Sequence, residues 1–366
     1  LRKFIKYVAF KINIVAAIFL VLSYLSAWVH PKYFWPISLN GVLYPFFLLL
    51  NVFFVVLWVV TKKRQLFLSL IIILIGIPFM TRYFQIHLPF KKHPDVSMQP
   101  QAIKFLSFNV RLFNLYRWVN KADAESDIVR FIQKESPDII CLQEFYTREK
   151  GKFSEKYFLQ QFPFAKYKYI KYTYRNRGVS NFGIATFSKY PIVGAGELSF
   201  SKTYNQCIYV DIKHRDDTIR VYNTHLQSYR FMKQNFDFID TLKLKYNPGQ
   251  VNGMRDIIYR IKTAYIKRAN QADKVADHIS HSAHPVIVCG DFNDSPISYS
   301  YQKISKGLDD AFVEAGSGIG STYFSKFPSF RIDYILHQRS FEAFNYRSPK
   351  LELSDHNPVI CYILKK

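Results

Sequence analysis

Residues 285–294 read PVIVCGDFND, a β-branched apolar run that stops at Asp291, Phe292 and Asn293. An apolar stretch opened by proline and closed by glycine and polar residues predicts a strand buried on both faces. Asp291 and Asn293 then stand at its C-terminal end. The pattern recurs in both directions along the chain. Upstream, KFLSFN (104–109) ends at Asn109, DIICLQE (138–144) ends at Glu144, and VYNTHL (221–226) places His225 after a strand. Downstream, FRIDYIL (330–336) carries Asp333 inside an apolar run, where a buried carboxylate must find a partner. LSDHNPV (353–359) presents Asp355 and His356 ahead of a further apolar run.

Further apolar runs at 183–187, 208–212, 219–223 and 359–363 add strands, and 124–135 has helical spacing that ends before Pro137. Many strands with few helices between them predict an α+β protein, a two-layer β core with helices on its faces. Carboxylates, amides and imidazoles at successive strand ends converge on one edge of such a sandwich. A hard cation such as Mg²⁺, with Mn²⁺ as the alternative, prefers oxygen ligands and uses one or two carboxylates plus phosphate oxygens of a substrate. That is the inventory here. Taken singly, each of these residues has a plainer reading as a solvated strand end, a turn initiator or a structural histidine.

The strings SFNV, LQE, THLQS, GDFND, RIDYIL and SDHNPV, in this order over residues 102–364, resemble the endonuclease/exonuclease/phosphatase superfamily. Deoxyribonuclease I, abasic-site endonucleases, inositol polyphosphate 5-phosphatases and bacterial sphingomyelinases share that fold. NFGIATFSKYPI (181–192) is similar to a further strand of the family. The resemblance implies a four-layer α/β/β/α sandwich, dependence on a divalent metal and hydrolysis of phosphoester bonds by in-line attack of water. It implies Glu144 as principal metal ligand with Asn109 and Asp355 beside it, and Asp291 as the group that orients or deprotonates the attacking water. Asn293 would hold that water or a phosphate oxygen. His356 and His225 would contact the phosphate, as would Asn109, with Asp333 behind His356 and Asn223 in support of His225. The carboxylate that orients the second histidine in some members has no clear counterpart; Glu149 and Glu155 are nominal candidates.

The 366-residue chain is 49% hydrophobic and carries a formal charge of +23, which excludes a disordered chain or a small disulfide scaffold. Residues 1–94 hold 11 Lys and Arg and no acidic residue. Three uncharged apolar runs, about 12–29, 42–60 and 66–81, are each close to the roughly 20 residues needed to cross a bilayer. They predict an N-terminal bundle of three transmembrane helices (1–86), a proline-rich linker (87–101) and a catalytic domain (102–366) expected to fold by itself. Tyr24 and Leu25 stand where a signal peptidase needs small residues, so the first helix is expected to stay uncleaved. Arg2, Lys3, Lys6 and Lys11, then Lys62, Lys63 and Arg64, mark cytoplasmic flanks, whereas the first loop holds only Lys32. This predicts an integral protein of a bacterial-type inner or plasma membrane with an extracytoplasmic catalytic domain; Lys91 and Lys92 weigh against that orientation, and a third run that is re-entrant or interfacial would leave the domain cytoplasmic. The chain begins with Leu, so its true start is expected to differ from residue 1.

Cys141, Cys207, Cys289 and Cys361 lie in apolar runs without C-x-x-C spacing and read as four buried thiols. His278, His281 and His284 drift around a helix and end before Pro285, which favours exposed helix-end residues over a zinc site. The basic, aromatic region 227–250 suits an insertion beside a site or, more simply, a solvated loop before a long helix from about 254 to 280. Lys166, Lys168, Lys171, Arg175 and Arg177 alternate with tyrosines, either as a nucleic-acid surface or as an ordinary exposed strand. The expected partners are thus the bilayer and a phosphoester substrate, nucleic acid or lipid headgroup, with an inositol phosphate as a third class. A non-catalytic binding protein would be expected to lose Glu144, Asp291 or His356, and all three are present.

Overall fold

In the computed structural model, the described residues are 2–86, 99–121, 123–176, 180–231, 235, 248–324 and 330–366. Lys91, Lys92, Arg177, most of the linker and most of 232–247 lie outside them. The chain divides into two compact units: Leu1–Phe79 with Gln227–Asp273 and Ile297–Gln302, and Met80–Leu226 with Lys274–Pro296 and Lys303–Lys366.

The first unit begins with α1 (Arg2–Leu25), followed by α2 (Pro31–Phe34), α3 (Pro36–Val42), α4 (Tyr44–Val60), α5 (Leu66–Ile75) and α6 (Ile77–Met80). Of the three apolar runs, α1 alone is one helix long and apolar enough to cross a membrane; α3 and α4 reach that length as a pair bent by 64°. The third run is broken at Gly76, where a Cβ would lie 2.0 Å from the Tyr24 hydroxyl. The helices meet through polar side chains in an otherwise apolar contact. Asn13 donates to Ser69 (2.6 Å), Ser69 to Asn51 (2.8 Å) and the Trp58 indole to Asn13 (2.8 Å). Such bonds join apolar helices where hydrophobicity alone gives no specificity. α5 packs beside Phe10 and Trp58 at its start, and the Phe79 ring stacks on Tyr24 and meets Trp28 beyond its end. Hence α5 and α6 run back along α1, over about 20 Å.

The second unit holds the strands. β1 (Phe84–Gln85), β2 (Ile103–Asn109), α7 (Ala124–Glu135), β3 (Ile139–Thr147), α8 (Glu155–Gln161), β4 (Tyr167–Asn176) and β5 (Ser180–Ser188) come first. β6 (Ile192–Leu198), β7 (Gln206–His214) and β8 (Asp217–His225) precede the long helix α9 (Pro248–Ser280). Then follow β9 (Val286–Asp291), α10 (Tyr299–Ile304), β10 (Leu308–Asp310), α11 (Ala311–Ala315), β11 (Gly318–Ile319), β12 (Asp333–Gln338), β13 (Phe341–Arg347) and β14 (Val359–Lys365). Two six-stranded sheets, ordered β10-β12-β9-β8-β7-β6 and β13-β14-β2-β3-β5-β4, form the sandwich.

Side chains of successive strand residues point to opposite faces, so each central strand serves two cores. Phe105, Ile139 and Cys361 meet Val221, Ile287 and Cys289 in one apolar cluster drawn from both sheets. Leu106, Phe108, Ile140 and Leu142 share a second cluster with Ile128 and Ile132 of α7 and Phe158 of α8. The four cysteines are buried free thiols. The alternating basic-aromatic stretch is the edge strand β4, in which Lys171 pairs with Glu197 (2.9 Å), Lys168 pairs with Glu155, and Arg175 lies over Tyr172.

Candidate active site

Strand direction explains why the polar residues meet. β8 and β9 are parallel neighbours with His225 opposite Asp291, and β2 and β3 are parallel with Asn109 opposite Gln143. Their C-terminal ends therefore share one edge. β12 is antiparallel to β9, which puts its first residue, Asp333, beside Asp291; β14 is antiparallel to β2, which brings Asp355 and His356 to the same place. Two local departures from regular strand aim the groups. Glu144 has φ 48° where the pairing of β3 with β5 slips between Leu142 and Phe145, so a bulge turns its side chain away from the pleat. Asn293 has φ 53°, and its backbone N–H donates to Asp291 Oδ1 at 2.7 Å.

All eight residues expected from the sequence lie at this edge. Asp291 is fully buried, and its Oδ2 accepts from the side-chain amides of Asn109 (3.0 Å) and Asn293 (3.0 Å). His225 Nε2 lies 3.7 Å and His356 Nε2 also 3.7 Å from that oxygen, so two imidazoles flank one carboxylate. Burial raises the Asp291 pKa to about 6, with the Asp333 charge adding to it and the two histidines opposing it. His356 Nδ1 is 2.9 Å from Asp333 Oδ2. Burial favours neutral His356, but Asp333, Asp291 and Asp355 outweigh it and raise its pKa to about 10. The histidine is thus an imidazolium at neutral pH.

Glu144 keeps about 33% of its side-chain surface open. Burial of the rest and the nearby Asp355 carboxylate raise its pKa. Two neighbouring carboxylates, Glu144 and Asp355, at the site's open side are a donor set suited to a divalent cation. Asn109 is turned differently: its amide nitrogen faces Glu144 (3.4 Å) and Asp291, and its oxygen accepts from the Arg111 backbone (3.1 Å). Asp291, Asp333 and His356 also bring three potential ligand atoms within 4.8 Å of one another. Within that trio the Asp333–His356 hydrogen bond engages Nδ1 and leaves Nε2 toward Asp291.

Several supporting residues carried little or no sequence signal. Thr322 Oγ1 accepts from the backbone N–H of Ile332 and Asp333 (both 3.1 Å), and the Tyr323 ring meets His356 edge-on with centroids 5.0 Å apart. Ser354 donates to the Asn109 carbonyl at 2.9 Å. Arg111 Nε sits 3.3 Å from Asp355 Oδ2 and stacks over Trp118. Arg111 opens a left-handed turn, Arg111–Asn114, with φ between 43° and 58°. Each such residue costs roughly 1–2 kcal/mol, offset here by burial of Phe113 and by paired bonds between Asn114 and Val119.

Three expectations change. Asn223 does not support His225; it lies between the sheets, accepting from Gln143 (2.7 Å) and donating to the Ala185 carbonyl (2.8 Å). Glu155 is committed to Lys168 and Tyr172, and Glu149 lies exposed on the wall of an outer cavity. His278 is a partner of the Tyr222 hydroxyl (2.7 Å) and so is half-buried rather than exposed, while His281 caps its own helix near Asp277.

Comparison with known proteins agrees with this geometry. A second family model, described as a domain of unknown function, matches residues 2–83. No curated protein sequence matches the chain. Among solved structures, an endonuclease/exonuclease/phosphatase from Bacteroides vulgatus is 16% identical, with a TM-score of 0.53 over 72% of this chain and 99% of that one. The human Nocturnin catalytic domain with bound sulfate is 17% identical, with a TM-score of 0.51 over 73% and 95%. An endonuclease/exonuclease/phosphatase from Beutenbergia cavernae is 17% identical, with a TM-score of 0.50 over 72% of each chain. These similarities speak to the fold. The model of the Endonuclease/Exonuclease/phosphatase family matches residues 106–356, and the chain belongs to that family of phosphoester-hydrolysing enzymes.

Proposed function

We propose that the chain is a membrane-tethered, divalent-metal-dependent phosphodiesterase of nuclease-like type. The observation that carries the chemistry is the buried Asp333–His356 pair beside Asp291, with the Glu144 and Asp355 carboxylates alongside. Asp291, fixed by Asn109 and Asn293, takes a proton from the attacking water as the water oxygen bonds to phosphorus and the opposite P–O bond breaks, the departing oxygen taking a proton from solvent. A carboxyl with a pKa near 6 accepts that proton more readily than an ordinary aspartate. His356, kept cationic by Asp333, and His225 offer N–H groups to the phosphoryl oxygens as negative charge grows there. Glu144 and Asp355 would hold Mg²⁺ or Mn²⁺ with Asn109 beside them; when bound, the ion supplies Lewis-acid neutralisation of phosphoryl charge.

A polyanionic substrate is favoured by a cavity of about 800 Å³ that starts at Thr147, three residues beyond Glu144 on the same strand. Arg148, Lys150, Lys156 and Arg175 line it and outnumber Glu149 and Glu155, a net positive wall that would attract a nucleic-acid backbone. A second reading, a lipid-headgroup phosphodiester, is favoured by the apolar first unit. The orientation we propose rests on the basic flanks: the N-terminus and Lys62–Arg64 would stay cytoplasmic, and α5 with α6, which run beside α1, would return the chain toward the side of the α1–α4 connection.

The test is hydrolysis by the full chain in lipid nanodiscs of single-stranded and duplex DNA, RNA, sphingomyelin, phosphatidylinositol and inositol phosphates, with Mg²⁺ or EDTA. Metal-dependent turnover of nucleic acid is expected. Turnover of a lipid alone would replace the nuclease reading, and silence across the panel from folded protein would remove the proposal.

A further inference from the structure

Residues Gln227–Asp273 of the insertion between β8 and β9, together with Ile297–Gln302 after β9, belong to the same compact unit as the apolar N-terminal helices, and their contacts there fall on one place. Ser26 donates to the Ile297 carbonyl at 3.0 Å, and His30 lies 3.5 Å from Asp273 and against the Tyr299 ring. Tyr265, buried in α9, reaches the Ser38 carbonyl at 3.5 Å. At Gly41 a Cβ would meet Ser26 and approach Ile297. Every one of these partners lies in the connection between α1 and α4. The middle of α9, from Tyr265 to Asp273, is therefore held at one end of the apolar helices, the end where Trp28, Tyr33 and Phe34 are exposed, and its first half leads into that point.

Burial changes along this helix. Ala264, Tyr265, Arg268, Ala269 and Ala272, from its middle onward, are buried. The first half instead shows Met254 (44% exposed), Ile258 (43%) and Tyr259 (68%), with exposed Arg255 and Lys262 beside them. Residues four apart share a helical face, so 254, 258 and 262 form one stripe. Asp256 does not oppose its basic character, because Arg260 (2.8 Å) and Asn235 (2.9 Å) engage that carboxylate. An apolar strip with a tyrosine, edged by cations and adjoining helix ends rich in exposed aromatic residues, matches the lipid–water boundary, where aromatic rings and basic side chains both find favourable surroundings.

We infer that the first half of α9 is a bilayer-contacting surface, with Met254, Ile258 and Tyr259 in the headgroup region of the membrane crossed by α1 and with Arg255 and Lys262 on its phosphates. This inference rests on the membrane-tethered reading proposed above. Its consequence is that the insertion leaving β8 just after His225 is anchored at the lipid surface.

The test places a nitroxide label in the full chain, reconstituted in phosphatidylcholine–phosphatidylglycerol vesicles, at Ile18→Cys, Ile258→Cys or Lys152→Cys. Collision with oxygen is compared with collision with a water-soluble nickel chelate. The expected result is oxygen-favoured collision at 18, a lower but still lipid-like ratio at 258, and a water-like ratio at 152. A water-like ratio at 258 with a lipid-like ratio at 18 overturns this inference alone. Water-like ratios at both overturn the tethered reading. Protection of 258 from both reagents that grows with protein density assigns the face to a second copy and also overturns the inference. Replacing phosphatidylglycerol by phosphatidylcholine is expected to reduce the oxygen preference at 258 and not at 18; an unchanged ratio at 258 removes the role given to Arg255 and Lys262.

Discussion

In the mechanism we propose, Asp333 acts through His356, its hydrogen-bond partner, rather than on a substrate. Asp333→Asn keeps the shape but removes the charge that holds His356 cationic, and kcat is expected to fall roughly 10²- to 10⁴-fold with a much smaller change in KM. Steady-state kinetics beside a thermal melt checks this, and an unchanged kcat would remove the imidazolium from the account. Glu144→Gln separates metal binding from proton transfer. The Mg²⁺ concentration for half-maximal rate is expected to rise on the order of tenfold or more, read from a metal titration. These eight positions were legible in the sequence because each interrupts or ends an apolar run, where a polar residue needs a reason. Thr322, Tyr323 and Arg111 were not, since a threonine, tyrosine or arginine in a loop says nothing about which strand end it will meet. Asn223 misled for a related reason: two positions from His225 it shares that residue's strand face, yet one step back from the strand end its amide is engaged between the sheets by Gln143 and the Ala185 carbonyl as a structural bridge.

The parallel pair β8–β9 depends on Gly290. Its φ is 139° and a Cβ there would fall 1.9 Å from the Thr224 carbonyl oxygen, so Gly290→Ala must push the strands apart beside Asp291. A loss of about 1–3 kcal/mol in denaturant midpoint experiments is expected, with activity falling alongside. Glu135, at the end of α7, ties the helix to Lys104 of β2 (3.0 Å) and to Arg347 of β13. Burial alone would raise its pKa, but the Arg347 and Lys104 hydrogen bonds prevail and hold it below the usual glutamate value of 4.5. A depressed folded-state pKa stabilises fully above the unfolded value and loses that contribution as pH falls through the folded one. Glu135→Gln is therefore expected to cost about 1–2 kcal/mol at pH 7 and progressively less below pH 4.5, measured by urea unfolding at several pH values. The helix 124–135 and the central strands were readable because their apolar period is unambiguous. β4 and β6 were harder, for an edge strand is half-exposed and its alternation resembles a basic surface, while the second and third apolar runs concealed a 64° bend and the break at Gly76.

The sequence places a boundary near residue 95, whereas the compact units interleave, because 227–273 and 297–302 join the N-terminal helices. No local pattern announces that, since the contacts join residues more than two hundred positions apart, such as Ser26 and Ile297. A chain lacking residues 1–83 would lose the partners of Tyr265 and of the Ile297 carbonyl and uncover both. We predict that it aggregates or melts at lower temperature unless detergent is supplied, as light scattering during a thermal ramp would show; a soluble domain of undiminished stability would return the boundary to residue 95. For the molecule as a whole, the central claim is that one strand edge unites a proton acceptor, a locked imidazolium and a carboxylate metal site for phosphodiester hydrolysis. The most direct test is turnover of a phosphodiester substrate by the full chain and by its Asp291→Asn and His356→Gln variants, each with Mg²⁺ and with EDTA, after matched melts show all three folded. The account predicts that each substitution, and EDTA alone, lowers the rate by at least about a hundredfold; rates in either folded variant close to that of the parent would contradict it.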